Sequence, residues 1–411
     1  MTNAKHATTL ILTAIYSQRT ATRQHTAFTS GPFSTELFFE DYDLTQAALY
    51  VRKHSSSYLA GLSVSAVRSI LRDFVTDNFG LIVEHCFGQE FDCSFAEWLP
   101  PIAVDRTAAA MAESRIFIEP RALYLFPLSV VQVEEGYRSD SFFLASPSDL
   151  ASQLGELWDY SDALIGERFP PWADWKGITF ATSCWLGVYA PTIEAAKQRR
   201  AAILGAVALL PHHLERYVFS GRKVAENFAS FTEKQRTFHS STAHTPPLSE
   251  DIRLTADDRS WLDILAGKLL SEVTAEKRSV RALEYFYRAW APNPAGRFAD
   301  IVGAIDAIFN DQNVATQSII DAVGPLMGPS YDPKRVRLLL GIRGSVIHGG
   351  APNVYESSKY QLYYEEYGED AVRDLEMVVA RSLQSHIFRG AMVERAHNYA
   401  ELIRQHTGRV V

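Results

Sequence analysis

Residues 341–352 read GIRGSVIHGGAP. Two side chains in this run, Arg343 and His348, are of types that together can break a phosphodiester. A guanidinium stays charged in a protein and forks onto phosphate oxygens, so it can hold the negative charge that grows there during attack. An imidazole exchanges a proton near neutral pH. Set against RNA, this pair is enough for the 2′-hydroxyl to attack the neighbouring phosphorus, and the chemistry calls for no metal and no cofactor. One helix supplies one residue of each type. A symmetric dimer that faces two such helices would make a fuller site.

The element that must position them is a helix opening at Asp332, a capping residue, with Pro333 in its first turn. Counted from Val336, the residues Leu339, Leu340, Val346 and Ile347 fall at offsets 3, 4, 10 and 11 of one apolar stripe. Offset 7 is Arg343. A guanidinium in that stripe has to be paired or face a wet interface, because an unpaired buried charge costs several kcal/mol. His348 lies about 140° farther round an ideal helix, so a rigid helix keeps the two side chains apart. Gly349 and Gly350 mark a C-terminal cap, which places His348 at or just past the last regular turn, where the backbone can swing. The helix dipole there favours its protonated form. A plainer account stays open for each residue: Arg343 as half of an ion pair with Asp306 or Glu376, and His348 as a capping side chain.

The helix belongs to a run of them. After about residue 255 the pattern is helical almost throughout, with GRFADIVGAIDAIFN the clearest case. Its Phe298, Ile301, Val302, Ile305, Ile308 and Phe309 fall at offsets 0, 3, 4, 7, 10 and 11. The stretch YESSKYQLYYEEYGED reads as a solvated loop or a flap over a groove. Residues 1–235 mix strand-like stretches, such as SRIFIEPRALYLFPLSVVQVEEG and GITFATSCWLGVYAP, with helices opened by Ser or Thr caps. Polar, proline-bearing 236–256 reads as a linker. The expected architecture is an α+β domain over 1–235, a linker over 236–256, and an all-α bundle over 257–411.

RALEYFYRAW, then DIVGAIDAIF, then RVRLLLGIRGSVIHGG, in this order, resembles the HEPN superfamily and specifically its Apea-like branch, over about residues 258–390. GVYAPTIEAAKQRRAAILGAVALL resembles the piece that often precedes that domain. The resemblance implies a metal-independent endoribonuclease that works as a homodimer, of the kind that serves as a toxin or a phage-defence effector. It implies Arg343 and His348 as the catalytic pair. It sets Asp306 at an acidic position of the third helix, where it pairs with and orients Arg343, and Ser345 as a polar residue inside the motif. Many active members carry Asn, Asp or Ser directly after the arginine, where this chain has Gly344. The same resemblance admits a second reading, a non-catalytic RNA-binding or dimerisation module in a sensor or scaffold protein. On the nuclease reading the N-terminal domain is expected to restrain or trigger the bundle, since an uncontrolled RNase would kill its host, through a ligand that no motif identifies.

Bulk properties narrow the field. The formal net charge over 411 residues is −8, which argues against a protein that coats nucleic acid non-specifically. Charge is sorted near the motif, however: 331–350 carries +3 and 353–376 carries −5. Lys334, Arg335 and Arg337 are the expected RNA contacts, tRNA or mRNA, and two solvated faces of opposite sign are the plain alternative. No apolar run approaches the about 18 residues of a spanning helix, the N-terminus makes no convincing signal peptide, and the expectation is a cytoplasmic protein without membrane partners. Cys86, Cys93 and Cys184 read as structural thiols. A Walker-type phosphate loop and a Gly-x-Ser-x-Gly elbow are both missing from the sequence.

Overall fold

The computed structural model describes residues 2–21, 23–30, 33–89, 91–128, 131–155, 172–173, 179–180, 182–210, 228–232, 236–239, 252–289, 294–309, 315–327, 332–347, 350 and 353–392. The chain divides into two compact units, Met1–Arg121 and Ala122–Val411.

In the first unit the order is α1 (Thr2–Thr13), β1 (Ile15–Tyr16), β2 (Arg23–Ser30), β3 (Phe33–Glu40), α2 (Asp41–His54), α3 (Val64–Asp77), α4 (Val83–Cys86), α5 (Phe95–Trp98) and α6 (Pro101–Glu113). The three strands form an antiparallel sheet ordered β1-β3-β2. Ser63 caps α3 as its serine-rich opening predicts, its Oγ accepting from the Ala66 amide at 3.1 Å. Val67, Ile70, Leu71 and Phe74 sit on one face of α3 and enter the core that also holds Ile11, Leu44, Val51 and Phe95. Cys86 is buried there, and burial pushes its thiol up to about 11. Cys93 is half-buried.

The second unit opens with β4 (Ala122–Leu128), β5 (Val131–Val133), β6 (Tyr137–Arg138), β7 (Phe142–Ala145), α7 (Leu150–Leu154), β8 (Trp172–Ala173), β9 (Thr179–Phe180), β10 (Cys184–Ala190), α8 (Ile193–Val207), β11 (Phe228–Phe231), β12 (Arg236–His239) and β13 (Ile252–Leu254). Six strands make one antiparallel sheet ordered β12-β11-β4-β10-β7-β6. β4 is buried along its whole length because both faces of the sheet are covered. Leu123, Leu125, Phe143 and Trp185 pack with Leu150 and Leu154 of α7 on one face. Tyr124, Phe126, Phe142, Leu186 and Val188 join the helices on the other. Among the described residues β11 pairs with Leu123, Tyr124 and Leu125 of β4, and Pro127, which has no N–H to give a ladder, lies two residues beyond that register.

Among the described residues seven α-helices follow: α9 (Arg259–Leu270), α10 (Thr274–Arg288), α11 (Pro294–Phe309), α12 (Ala315–Met327), α13 (Pro333–Ile347), α14 (Ser358–Tyr367) and α15 (Ala371–Phe388). The expected stripe of α11 is inside: Phe298, Ile301, Val302 and Ile305 are buried, and Ile308 and Phe309 are half-buried. The C-terminal part is helix-rich, as its periodicity predicts. VERAHNYAELIRQH, expected as a closing helix, lies outside the described residues.

Two expectations need correction. The division between compact units falls at Arg121 and Ala122, not in 236–256. Within the supposed linker, β12 adds to the six-stranded sheet and β13 pairs in parallel with β5. The reason is a shared core: one apolar cluster runs from the sheet through α8 into α9–α15. The tyrosine-rich stretch is a helix, α14, and not a loop. Tyr363 is fully buried and anchors it, and Gly368 ends it in the left-handed conformation.

α8 joins the sheet to the bundle. Thr192 caps it, accepting from the Ala195 amide at 3.2 Å, and Gly205 lies directly on α10. A Cβ added at Gly205 would stand 2.1 Å from the backbone oxygen of Leu283. Gly205→Ala should therefore force the two helices apart and lower stability by about 1–3 kcal/mol, read as a lower urea midpoint. An unchanged midpoint would mean that this contact is not close in solution.

Candidate functional site

α13 carries the motif arginine. Val336, Leu339 and Leu340 are buried as the stripe predicts, and Ile342, off the stripe, is buried as well. Helices pack against α13 from several sides, so Arg343 cannot swing freely into water. Its Nη2 donates to Asp306 Oδ2 at 2.7 Å, with the two side chains 20% and 21% exposed. Of the two carboxylates weighed for this arginine, Asp306 is the partner. Glu376, almost wholly buried, pairs instead with Arg297 of α11.

Burial pushes the Asp306 carboxyl above its usual range, against the downward pull of the Arg343 charge. Asp306 Oδ1 is buried and has no hydrogen-bond partner among the described residues. The carboxylate thus holds the arginine through one oxygen. A guanidinium has five N–H donors, and this one bond leaves others to meet an anion.

The remaining predicted residues are placed less directly. His348 lies outside the described residues, one residue past the end of α13 at Ile347. Ser345 Oγ donates back to the Gly341 carbonyl at 3.3 Å, a local bond within the helix. Two residues on from Arg343 is about 200° round the helix, so Ser345 is not brought to the arginine. The same carbonyl accepts from Lys359 Nζ at 3.2 Å. Sequence reasoning gave no sign of Lys359, since the contact joins residues far apart in the chain.

The basic run is largely engaged. Lys334 pairs with Glu366 at 2.5 Å. Arg335 pairs with Asp374, donates from Nε to the Tyr363 hydroxyl at 2.8 Å, and lies 4.8 Å over the Tyr367 ring. Arg337 is exposed and has no hydrogen-bond or ion-pair partner among the described residues. Lys334 stays 69% exposed beside its carboxylate, so the pairing leaves it facing water. The sorted charge of the sequence has a structural cause, because carboxylates of α14 and α15 fold back onto the cations of α13.

Gly344 sits inside α13 with open space where a Cβ would stand. Gly344→Ala should raise stability by about 1 kcal/mol through helix propensity alone, measured as an increased denaturation midpoint. A decrease would show that the backbone here needs glycine.

Among the described residues no helix is long and apolar enough to cross a membrane. No family model, no curated protein and no solved structure matches the chain.

Proposed function

We propose that the helical C-terminal part is a HEPN-type bundle that cleaves RNA as a homodimer, with Arg343 and His348 as its reacting groups. The observation that carries the reading is the Arg343–Asp306 pair: a half-buried arginine, fixed by one carboxylate oxygen, five residues ahead of His348 in the sequence. His348 takes the proton of the 2′-hydroxyl, whose oxygen attacks the adjacent phosphorus. Arg343 holds the charge on the non-bridging oxygens. The 5′-oxygen of the next nucleotide leaves and takes up a proton, for which the second copy's histidine is suited in the dimer. The products are a 2′,3′-cyclic phosphate and a 5′-hydroxyl. Asp306 positions the arginine. The N-terminal part restrains or triggers cutting, and the cellular role is that of a toxin or phage-defence effector.

Gly344, standing directly after Arg343 where many active members carry a polar residue, favours the second reading, a bundle that binds or dimerises without cutting. One experiment separates the two. The purified chain is incubated with single-stranded RNA in a metal chelator, and the ends of the fragments are identified. Fragments with cyclic phosphate ends, absent in the Arg343→Ala and His348→Ala variants, support cleavage. RNA left whole while the chain binds it supports the binding module.

A further inference from the structure

α14 lies antiparallel along α13. Its last turn meets the start of α13, where Glu366 takes Lys334, and its middle meets Arg335 through the Tyr363 hydroxyl. Its first turn lies level with Gly341, whose carbonyl accepts from Lys359 Nζ at 3.2 Å. The approach is close, since a Cβ added at Gly341 would stand 3.2 Å from Lys359 Cδ. A helix sends its first amides, the positive end of its dipole, out beyond its own start. Those of α14 are therefore directed along the C-terminal half of α13, on the side where Ser345 shares the Gly341 carbonyl with Lys359.

That start carries no side-chain cap. Ser357 holds the capping position, where a serine ordinarily accepts from the amide two or three residues on. Here it makes no such bond. Its residue is 3% exposed, and its buried Oγ has no hydrogen-bond partner among the described residues. A buried hydroxyl left this way is costly, and an incoming acceptor would relieve it. The amides of Tyr360 and Gln361 return to the Ser357 carbonyl. Those of Ser358 and Lys359 make no hydrogen bond among the described residues, and both residues are exposed.

Charge at the same place has the matching sign. Side chains lean toward the start of their own helix, so the Lys359 ammonium belongs to this end of α14. It has three N–H donors, and the Gly341 carbonyl takes one. Glu356, the acid just before the cap, is held by the Asn353 side-chain amide. Arg337, exposed and without a partner, lies one turn before Gly341 and about 40° round α13.

We propose that the first turn of α14 is a phosphate site for the backbone of single-stranded RNA, made by the Ser358 and Lys359 amides, the Lys359 ammonium and the Ser357 hydroxyl. Free amides at a helix start bind phosphate in this way. The choice of RNA rests on the proposed nuclease reading; the site itself rests on the uncapped helix start and its lysine. Arg343 follows Gly341 by two residues, about 3 Å along the axis and about 200° round α13. The phosphate at α14 is thus a different one from the phosphate that Arg343 meets. It fixes the strand and leaves its sequence unread.

The test uses the full chain carrying His348→Ala, which keeps the RNA whole, and a fluorescent oligouridylate read by anisotropy over a salt series. Adding Lys359→Gln should weaken binding about tenfold at low salt and flatten the slope of log affinity against log salt by about one. Adding Ser358→Pro instead removes one amide hydrogen and should weaken binding about threefold. Proline is accepted at the first position of a helix, and φ −72° and ψ 127° at Ser357 suit the residue before it. A melting temperature kept or raised in Ser358→Pro then shows that lost affinity is not lost folding. Unchanged binding in Ser358→Pro would overturn the site, leaving Lys359 at most a surface charge, as would failure of the His348→Ala parent to bind RNA. Displacement of the RNA by low millimolar inorganic phosphate at constant ionic strength, lost in Ser358→Pro, would overturn RNA as the occupant in favour of free phosphate. The two readings fail separately. If the wild type leaves RNA uncut but both variants lose binding, the nuclease reading falls and the phosphate site stands. If cutting is seen and both variants bind as their parent does, the reverse holds.

Discussion

Arg343→Ala is expected to slow RNA cleavage by about 10²–10³-fold, the effect of removing one preorganised donor to a developing oxyanion. His348→Ala is expected to slow it by about 10²–10⁴-fold, the contribution of general acid–base transfer. The arginine's loss should fall on kcat more than on KM, because the charge it meets grows only as the 2′-oxygen attacks. Arg343→Lys should not rescue, since an ammonium is a point charge that cannot hold Asp306 and a phosphate in one planar fork. Asp306→Asn gives an intermediate result that is specific to positioning. The amide keeps a hydrogen-bond acceptor for the guanidinium while removing the charge whose burial raises the Asp306 pKa. The protein should stay folded, and cleavage should fall by less than in Arg343→Ala. Equal rates for wild type, Arg343→Ala and His348→Ala would remove both residues from the chemistry and leave binding or dimerisation as the function.

How much of this site can be read from the sequence depends on the range of the interaction. The stripe of α11 and the caps of α3 and α8 are set within one or two turns, and the structure has them where the residue pattern puts them. That Arg343 breaks an apolar stripe is equally local, and it forces the conclusion that a partner exists. Which carboxylate is the partner is not local: Asp306 and Glu376 fit the pattern equally well, and only the packing of α11 against α13 and α15 assigns one to Arg343 and the other to Arg297. α14 is hidden for a related reason. Its tyrosines and glutamates show no helical period, yet burying Tyr363 against Arg335 and Asp374 makes the helix worth forming. The unit boundary is the longest-range feature, since it follows from a core that joins residues of β4 to residues of α15.

The same long-range packing predicts the largest loss of stability. Glu376→Ala should destabilise the fold by about 3–5 kcal/mol, the usual cost of breaking a buried pair from one side. The carboxylate is 1% exposed and its partner Arg297 14%, so water cannot replace either partner cheaply. Against a typical total of about 5–15 kcal/mol, that is a large share, and the urea midpoint should drop accordingly. The pair itself is a different matter from its halves. Arg297→Met with Glu376→Leu removes both desolvation penalties and should return stability to within about 1–2 kcal/mol of the wild type, or above it. A double-mutant cycle on urea midpoints separates these cases. A loss under about 1 kcal/mol in Glu376→Ala would mean that solvent reaches the pair. If the double apolar variant is as unstable as the single one, the ion pair is required for the seating of α11 on α15. α11 also carries Asp306, so the apolar variant links the two predictions: if α11 stays seated, Asp306 still holds Arg343, and RNA cleavage should survive the loss of the neighbouring ion pair.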